Sequence, residues 1–256
     1  MHGSFRSFAL AMMAAIYVAS AGAAAAQNSK VDELIGFHDL RTSVSIGNYY
    51  LKQESLLSAR SLLARVGRDE GLGADWQAKN PYWRQAEEAL LEKMMVGVDR
   101  DFSNLHWLKP LWMDLGSKEF SDRELDTLIA HFQSEIGKKQ VQIVDHTVST
   151  HIMMALSFSG KLKDIAGAEE ERREMQALWN DEDGQMRFSI QDADSAEGQA
   201  FALSALGKKY LVTAILKLTG IVSRHIDDTA ARLPQLAERY GDAIRPFVEE
   251  FKRARG

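Results

Sequence analysis

Two Gly-Lys-Lys triplets, Gly137-Lys138-Lys139 and Gly207-Lys208-Lys209, are the residues whose types and spacing first suggest chemistry. Backbone N–H groups at a helix end, joined by two ammonium groups, can hold a phosphate or a carboxylate. On that reading the six residues form an anion- or partner-binding site. A P-loop is excluded, because neither triplet has the G-x-x-x-x-G-K-[ST] spacing or a strand before it. The competing reading makes each Gly a junction where helices bend or pack closely, followed by solvated lysines.

Histidines offer metal or acid–base chemistry. A metal pair on a helix needs i,i+3 or i,i+4 spacing, so that both side chains leave one face. His146 and His151 are five apart and cannot meet that condition, and there is no H-E-x-x-H. His131 and Glu135 are four apart and could join His151 or His225 from another helix. Asp181-Glu182-Asp183-Gly184 fails as a calcium loop, since Trp179 and Ile190 would fall at the first and twelfth positions. Adjacent acids such as Glu87-Glu88 and Glu169-Glu170-Glu171 point about 100° apart on a helix and read as solvated faces. Neither G-x-S-x-G nor G-x-G-x-x-G occurs, so no nucleophile elbow or dinucleotide fingerprint is present. No catalytic residue, metal ligand or cofactor is assigned. The aromatics Trp76, Tyr82, Trp83, Trp107 and Trp112 could stack on a ligand, but such residues usually fill a core.

The elements that must position these residues are helices. Apolar residues recur with a period near 3.6 almost throughout, so the fold class is all-α. Segment 31–66 reads as two helices with a soft break at Ser43–Gly47. Gly67–Lys79 reads as a loop, and Asn80-Pro81 starts a helix that runs to about Asp101. A shorter apolar piece, Leu105–Leu115, is interrupted by Pro110. Ser121-Asp122-Arg123-Glu124 is a capping box opening an apolar stripe from Leu125 to Ile136. Gly137 is expected to end that helix, and Lys138–Ser159 to form the next. Asn180–Gln185 reads as a turn. Helices resume near Asp194 and run to Arg232 with a break at Gly207. Leu233-Pro234 starts a final helix that Pro246 interrupts. The basic residues of that last stretch, among them Arg232, Arg239, Arg245 and Lys252, alternate with acids and make no continuous cationic face.

At an offset of 70 residues, Ser134, Gly137, Lys138 and Lys139 are repeated as Ser204, Gly207, Lys208 and Lys209. Ile136 and Val141 correspond to Leu206 and Leu211, and Phe120-Ser121 finds a looser echo in Phe188-Ser189. The expected architecture is a helical bundle of two duplicated helical-hairpin units (about 120–160 and 188–226) plus N- and C-terminal helices. Residues 27–256 would make one domain. The pattern carried by Phe120, Ser121, Glu124, Leu125, Phe132, Ser134, Gly137 and Lys138 resembles that of a domain of unknown function found in exported bacterial proteins. The opening Val31-Asp32-Glu33-Leu34-Ile35 is similar too. Gln133 and Ile136 stand where that pattern has Tyr and Pro. The resemblance implies an all-α periplasmic protein and no known enzymatic activity.

Met1–Ala26 reads as a signal peptide: Arg6 near the start, an apolar run from Phe8 to Ala19, and Ala24-Ala25-Ala26 as the cleavage site. Cleavage would remove one Arg and no acid, taking the net charge from −5 to −6. No later stretch is long enough to span a membrane, and a negative chain has no global field for nucleic acid. With no cysteine, disulfides, thiolate catalysis and Cys-ligated metals are excluded. The sequence therefore predicts a periplasmic, non-enzymatic helical protein that binds an envelope partner or small ligand. The alternative is a metal- or small-molecule-binding protein, or a hydrolase, with its site between helices.

Overall fold

The computed structural model describes residues 25–102, 107–158 and 195–255, with isolated positions between 169 and 180 and without the side chains of 99–102. The expected cleavage segment up to Ala24, residues 181–185 of the expected turn and the Phe188-Ser189 echo lie outside the described residues. All regular structure among the described residues is helical: α1 (25–35), α2 (Arg41–Asp69), α3 (Pro81–Phe102), α4 (Leu108–Glu119), α5 (Asp122–Phe132), α6 (Glu135–Phe158), α7 (Ala196–Leu203), α8 (Ala205–Leu211), α9 (Leu218–Ala230), α10 (Leu233–Arg239) and α11 (Arg245–Arg255). A π-helix, Val212–Lys217, joins α8 to α9, and a 3₁₀ turn, Gly241–Ile244, precedes α11. None of these helices is long and apolar enough to cross a membrane.

The first helix break falls earlier than the sequence suggested. The chain turns at Gly36–Leu40, and α2 then runs without interruption for 29 residues. Ser43–Gly47 is not a break because its small residues let neighbours come close. Ser43 Oγ lies 2.9 Å from Ser149 Oγ on α6, and a methyl group on Gly47 would sit 3.2 Å from Ile226 of α9. α2 is the hub of the bundle, packing on α3, α6, α9 and α10. Its buried side includes Thr42, Ser43, Ser45, Gln53 and Ser55 alongside Leu51, Leu56 and Leu63.

Local signals account for most other ends. Asn80 Oδ1 accepts from Tyr82 N–H, and Pro81 is the first residue of α3. Gly71 (φ 64°) and Gly73 (φ 75°) make the left-handed turns after α2. Pro110 is the third residue of α4 rather than an interruption, a place where a missing N–H costs no helical bond. Ser121 and Glu124 form the full capping box on α5. Pro246 is the second residue of a new helix, α11, so the expected interruption near it is present. The tryptophans Trp76, Trp83, Trp107 and Trp112 are all buried. Trp76 meets Trp83 and Phe251 edge-on at 5.6 and 5.2 Å, which pins α11 to α3.

Candidate functional site

Gly137 and Gly207 do not end helices. Each is the third residue of the following helix, α6 or α8, and each follows a serine that caps it. Ser134 Oγ accepts from Gly137 N–H at 3.0 Å and donates to the His131 carbonyl at 2.7 Å. Ser204 repeats both bonds, to Gly207 N–H at 2.9 Å and to the Phe201 carbonyl at 2.7 Å. The reason for glycine is steric. A Cβ on Gly137 would lie 2.1 Å from the His131 carbonyl oxygen, and one on Gly207 would lie 2.0 Å from that of Phe201. The chain folds back so tightly that the end of one helix sits against the start of the next.

The donors that an anion would need are largely engaged at these junctions. Both glycine N–H groups are held by serine, and Lys138 pairs with Glu135 at 2.7 Å. Lys209 Nζ donates to both oxygens of Glu124 in the α5 capping box, at 2.8 and 2.9 Å. Those bonds, with the Ser121 backbone N–H, pull Glu124 down to a pKa of about 2. Lys208 is exposed. The six residues are thus divided between two similarly built junctions, three at each.

The histidine set does not converge. His131 lies flat on Phe201 and contacts Gln140 Oε1 through Nε2 at 2.6 Å, while Glu135 faces Lys138. His225 stacks on Trp107 at 5.4 Å. Among the described residues no group of three His, Asp or Glu could hold a metal.

A different histidine forms the most developed polar arrangement. His38, in the turn before α2, places Nδ1 2.5 Å from Asp145 Oδ1 of α6 and Nε2 3.0 Å from the hydroxyl of Tyr210 in α8. Asp39 N–H donates to the second Asp145 oxygen at 2.7 Å. A carboxylate can only accept, so Nδ1 donates to Asp145, while Nε2 and the Tyr210 hydroxyl share the second hydrogen bond. The side chains of His38 and Asp145 are 1% and 5% exposed. Burial raises the Asp145 carboxyl above its usual range, against the opposing pull of His38. Burial and the nearby Asp145 also push the Tyr210 phenol well up, keeping it neutral. Trp112 covers the imidazole at 5.3 Å.

A carboxylate, an imidazole and a hydroxyl in line are the parts of a general-base relay. Here each polar atom of the line is paired with another, and His38 and Asp145 are buried. What the line does is tie three distant segments together and fix the Tyr210 ring.

That ring forms one wall of a half-open pocket of about 240 Å³ between α5, α6, α7 and α8. Phe132, Ile143, Val144, Phe201, Ala202 and Leu211 supply most of the rest. Gln140 is also at the pocket, but its amide is spent on His131 and on the Gly198 carbonyl at 2.8 Å. The pocket straddles the two junctions. At the 70-residue offset Phe132 corresponds to Ala202 and Gln140 to Tyr210, and the small side chain of Ala202 stands at the pocket wall. The sequence reading singled out neither Asp145 nor Tyr210. The available signal was Asp145 itself, an acid four residues after Val141 on the buried stripe. No protein-family model, curated protein or solved structure matches this chain.

Proposed function

We propose that the chain is an exported, non-enzymatic helical protein that binds a compact apolar ligand between its two Ser-x-x-Gly-Lys-Lys junctions, which we read as copies of one ancestral unit. The observation that carries this is the half-open, aromatic-walled pocket at Phe132, Phe201 and Tyr210. Ligand pockets are typically apolar clefts upward of ~300 Å³ for drug-sized molecules, and an apolar cavity of ~150 Å³ holds benzene. A 240 Å³ space therefore suits one or two fused rings or a short branched chain. Gln140 spends its amide on His131 and the Gly198 carbonyl, and Tyr210 its hydroxyl on His38, so they favour an occupant without strong polar groups there.

Export rests on the apolar N-terminal segment and its A-x-A site, with the resemblance to exported bacterial proteins beside it. Gln27, the first residue after that site, uses its amide to donate to the Ser117 and Phe120 carbonyls at 3.0 and 2.9 Å. Cleavage before it would leave this anchor intact. An intact mass matching residues 27–256 in a periplasmic extract checks this part; a mass retaining the first 26 residues overturns it.

The binding experiment titrates toluene, indole and naphthalene into the purified protein while following melting temperature and the Tyr210 ring signals by NMR. A saturable stabilisation that disappears in Ala202→Phe is expected. Equal stabilisation of wild type and Ala202→Phe, or none in wild type, would overturn the pocket as the binding site.

A further inference from the structure

The cations of the C-terminal stretch divide into two sets. Arg245 pairs with Asp242, Lys252 with Glu70 and Glu249, and Arg255 with Asp75, while Glu238 is taken by Arg65. Arg232 and Arg239 make no ion pair among the described residues, and both line one half-open groove of about 410 Å³. Isolated solvated arginines are ordinary; two in one concavity make a local cationic feature.

Their spacing says what would fit. Seven residues on a helix are about two turns, so the two side chains leave the same face with their origins roughly 10 Å apart. Between them the groove is lined by Leu236 and Gln235. The facing wall is Val96, Gly97 and Val98 of α3. Val96 is 69% exposed, and nothing lies within 4 Å of where a Cβ on Gly97 would be. The groove is cationic at both ends, with Leu236, Val96 and the Gln235 amide between them.

We propose that this groove binds an elongated dianion: a small molecule with carboxylate or phosphate groups about 10 Å apart and an apolar chain between them. Each anion meets one guanidinium, and the chain lies over Leu236 and Val96. The site is separate from the aromatic pocket, and its test does not depend on that pocket.

The experiment is calorimetric titration at low ionic strength with suberate, octanoate and 1,8-octanediol, which share a chain length and differ in terminal charge. Suberate is expected to bind saturably and at least tenfold more tightly than octanoate, with no measurable binding of the diol. Arg232→Gln and Arg239→Gln should each bring suberate to the octanoate level without changing the melting temperature, since both side chains are exposed. Suberate binding no tighter than octanoate, or unchanged in both variants, overturns the proposal. Binding of poly-glutamate in the absence of suberate binding overturns it too and reassigns the groove to an acidic protein partner.

Discussion

The imidazole of His131 lies flat on the ring of Phe201, with centroids 3.6 Å apart and planes 12° from parallel. These residues are 70 positions apart, and the carbonyl of each accepts from the serine that caps the next helix. The two tight junctions are thereby pressed together, and the aromatic pocket opens beside the contact. The conformations of the two glycine turns and the shape of the pocket are consequently linked.

Gly137→Ala and Gly207→Ala should each destabilise the protein by about 2–3 kcal/mol, the upper part of the usual single-substitution range. The added carbon cannot be accommodated by a side-chain rotation, because the atom it meets is a backbone carbonyl. In a chain of this size that corresponds to a fall of roughly 4–12 °C in melting temperature. Ser134→Ala and Ser204→Ala should cost about 1 kcal/mol each, as lost caps. Thermal unfolding of the four variants ranks them; glycine variants that melt with the wild type would contradict the steric argument.

These junctions show what a sequence can and cannot disclose. The capping box at Ser121, the start at Asn80-Pro81 and the all-α class are written in short-range patterns, and the structure has them. Gly137 and Gly207 misled because glycine often follows a helix, whereas here it occupies the third position of the next one. The deciding atoms, the carbonyls of His131 and Phe201, belong to the preceding helix. Ser43–Gly47 misled for a similar reason: small residues mark a break when exposed and a close contact when buried. Asp145 was legible as an acid within an apolar stripe. Its partner was not, because His38 is 107 residues away and only the packed bundle brings the two together.

The buried line through His38 should be costly to break and cheap to replace. His38→Ala leaves the Asp145 carboxylate buried without its partner, a loss of about 3–5 kcal/mol. Tyr210→Phe removes one hydrogen-bonding group while keeping the ring, for about 1–3 kcal/mol. Replacing the pair together, His38→Leu with Asp145→Leu, should recover most of the His38→Ala loss, since no carboxylate is then left buried without its partner. Urea unfolding of these variants decides it; a double replacement as damaging as His38→Ala alone would rule out the unpaired charge as the cause.

Acid titration should separate the two perturbed carboxyls by sign. Glu124 has a folded pKa of about 2, below its ordinary value of 4.5. Its contribution is therefore present above pH 4.5 and is lost as the pH falls from 4.5 towards 2. Asp145 is shifted upwards, so its contribution is full below its ordinary value of 3.8 and declines as the pH rises through the folded value. Lys209→Met should move Glu124 back towards 4.5 while costing less than about 1 kcal/mol, because the pair is partly solvated. Carboxyl chemical shifts followed by NMR give both titrations directly.

Closing the aromatic pocket should stabilise the fold even as it abolishes ligand uptake. Ala202→Phe adds apolar volume to a space of about 240 Å³. Cavity filling of this kind is commonly worth 0.5–2 kcal/mol. A rise of a few degrees in melting temperature is expected, and a fall would mean that the pocket is too narrow for the added ring.

The π-helix has a consequence for how this chain tolerates insertions and deletions. Its i→i+5 bonding takes up one more residue per closed loop than an α-helix does, and such turns arise as single-residue bulges. Tyr210, Ala214, Leu218, Val222, Ile226 and Ala230 are all buried at a strict spacing of four, a rhythm that a uniform 3.6-residue helix would let drift off the core. Removing one residue from Val212–Lys217 would let that stretch rewind as α-helix, and everything after it would keep its phase relative to Tyr210. The face of α9 that meets α2 and α6 would stay on them. A deletion of one residue, which in a regular α-helix turns everything beyond it by about 100°, would here be absorbed by the bulge.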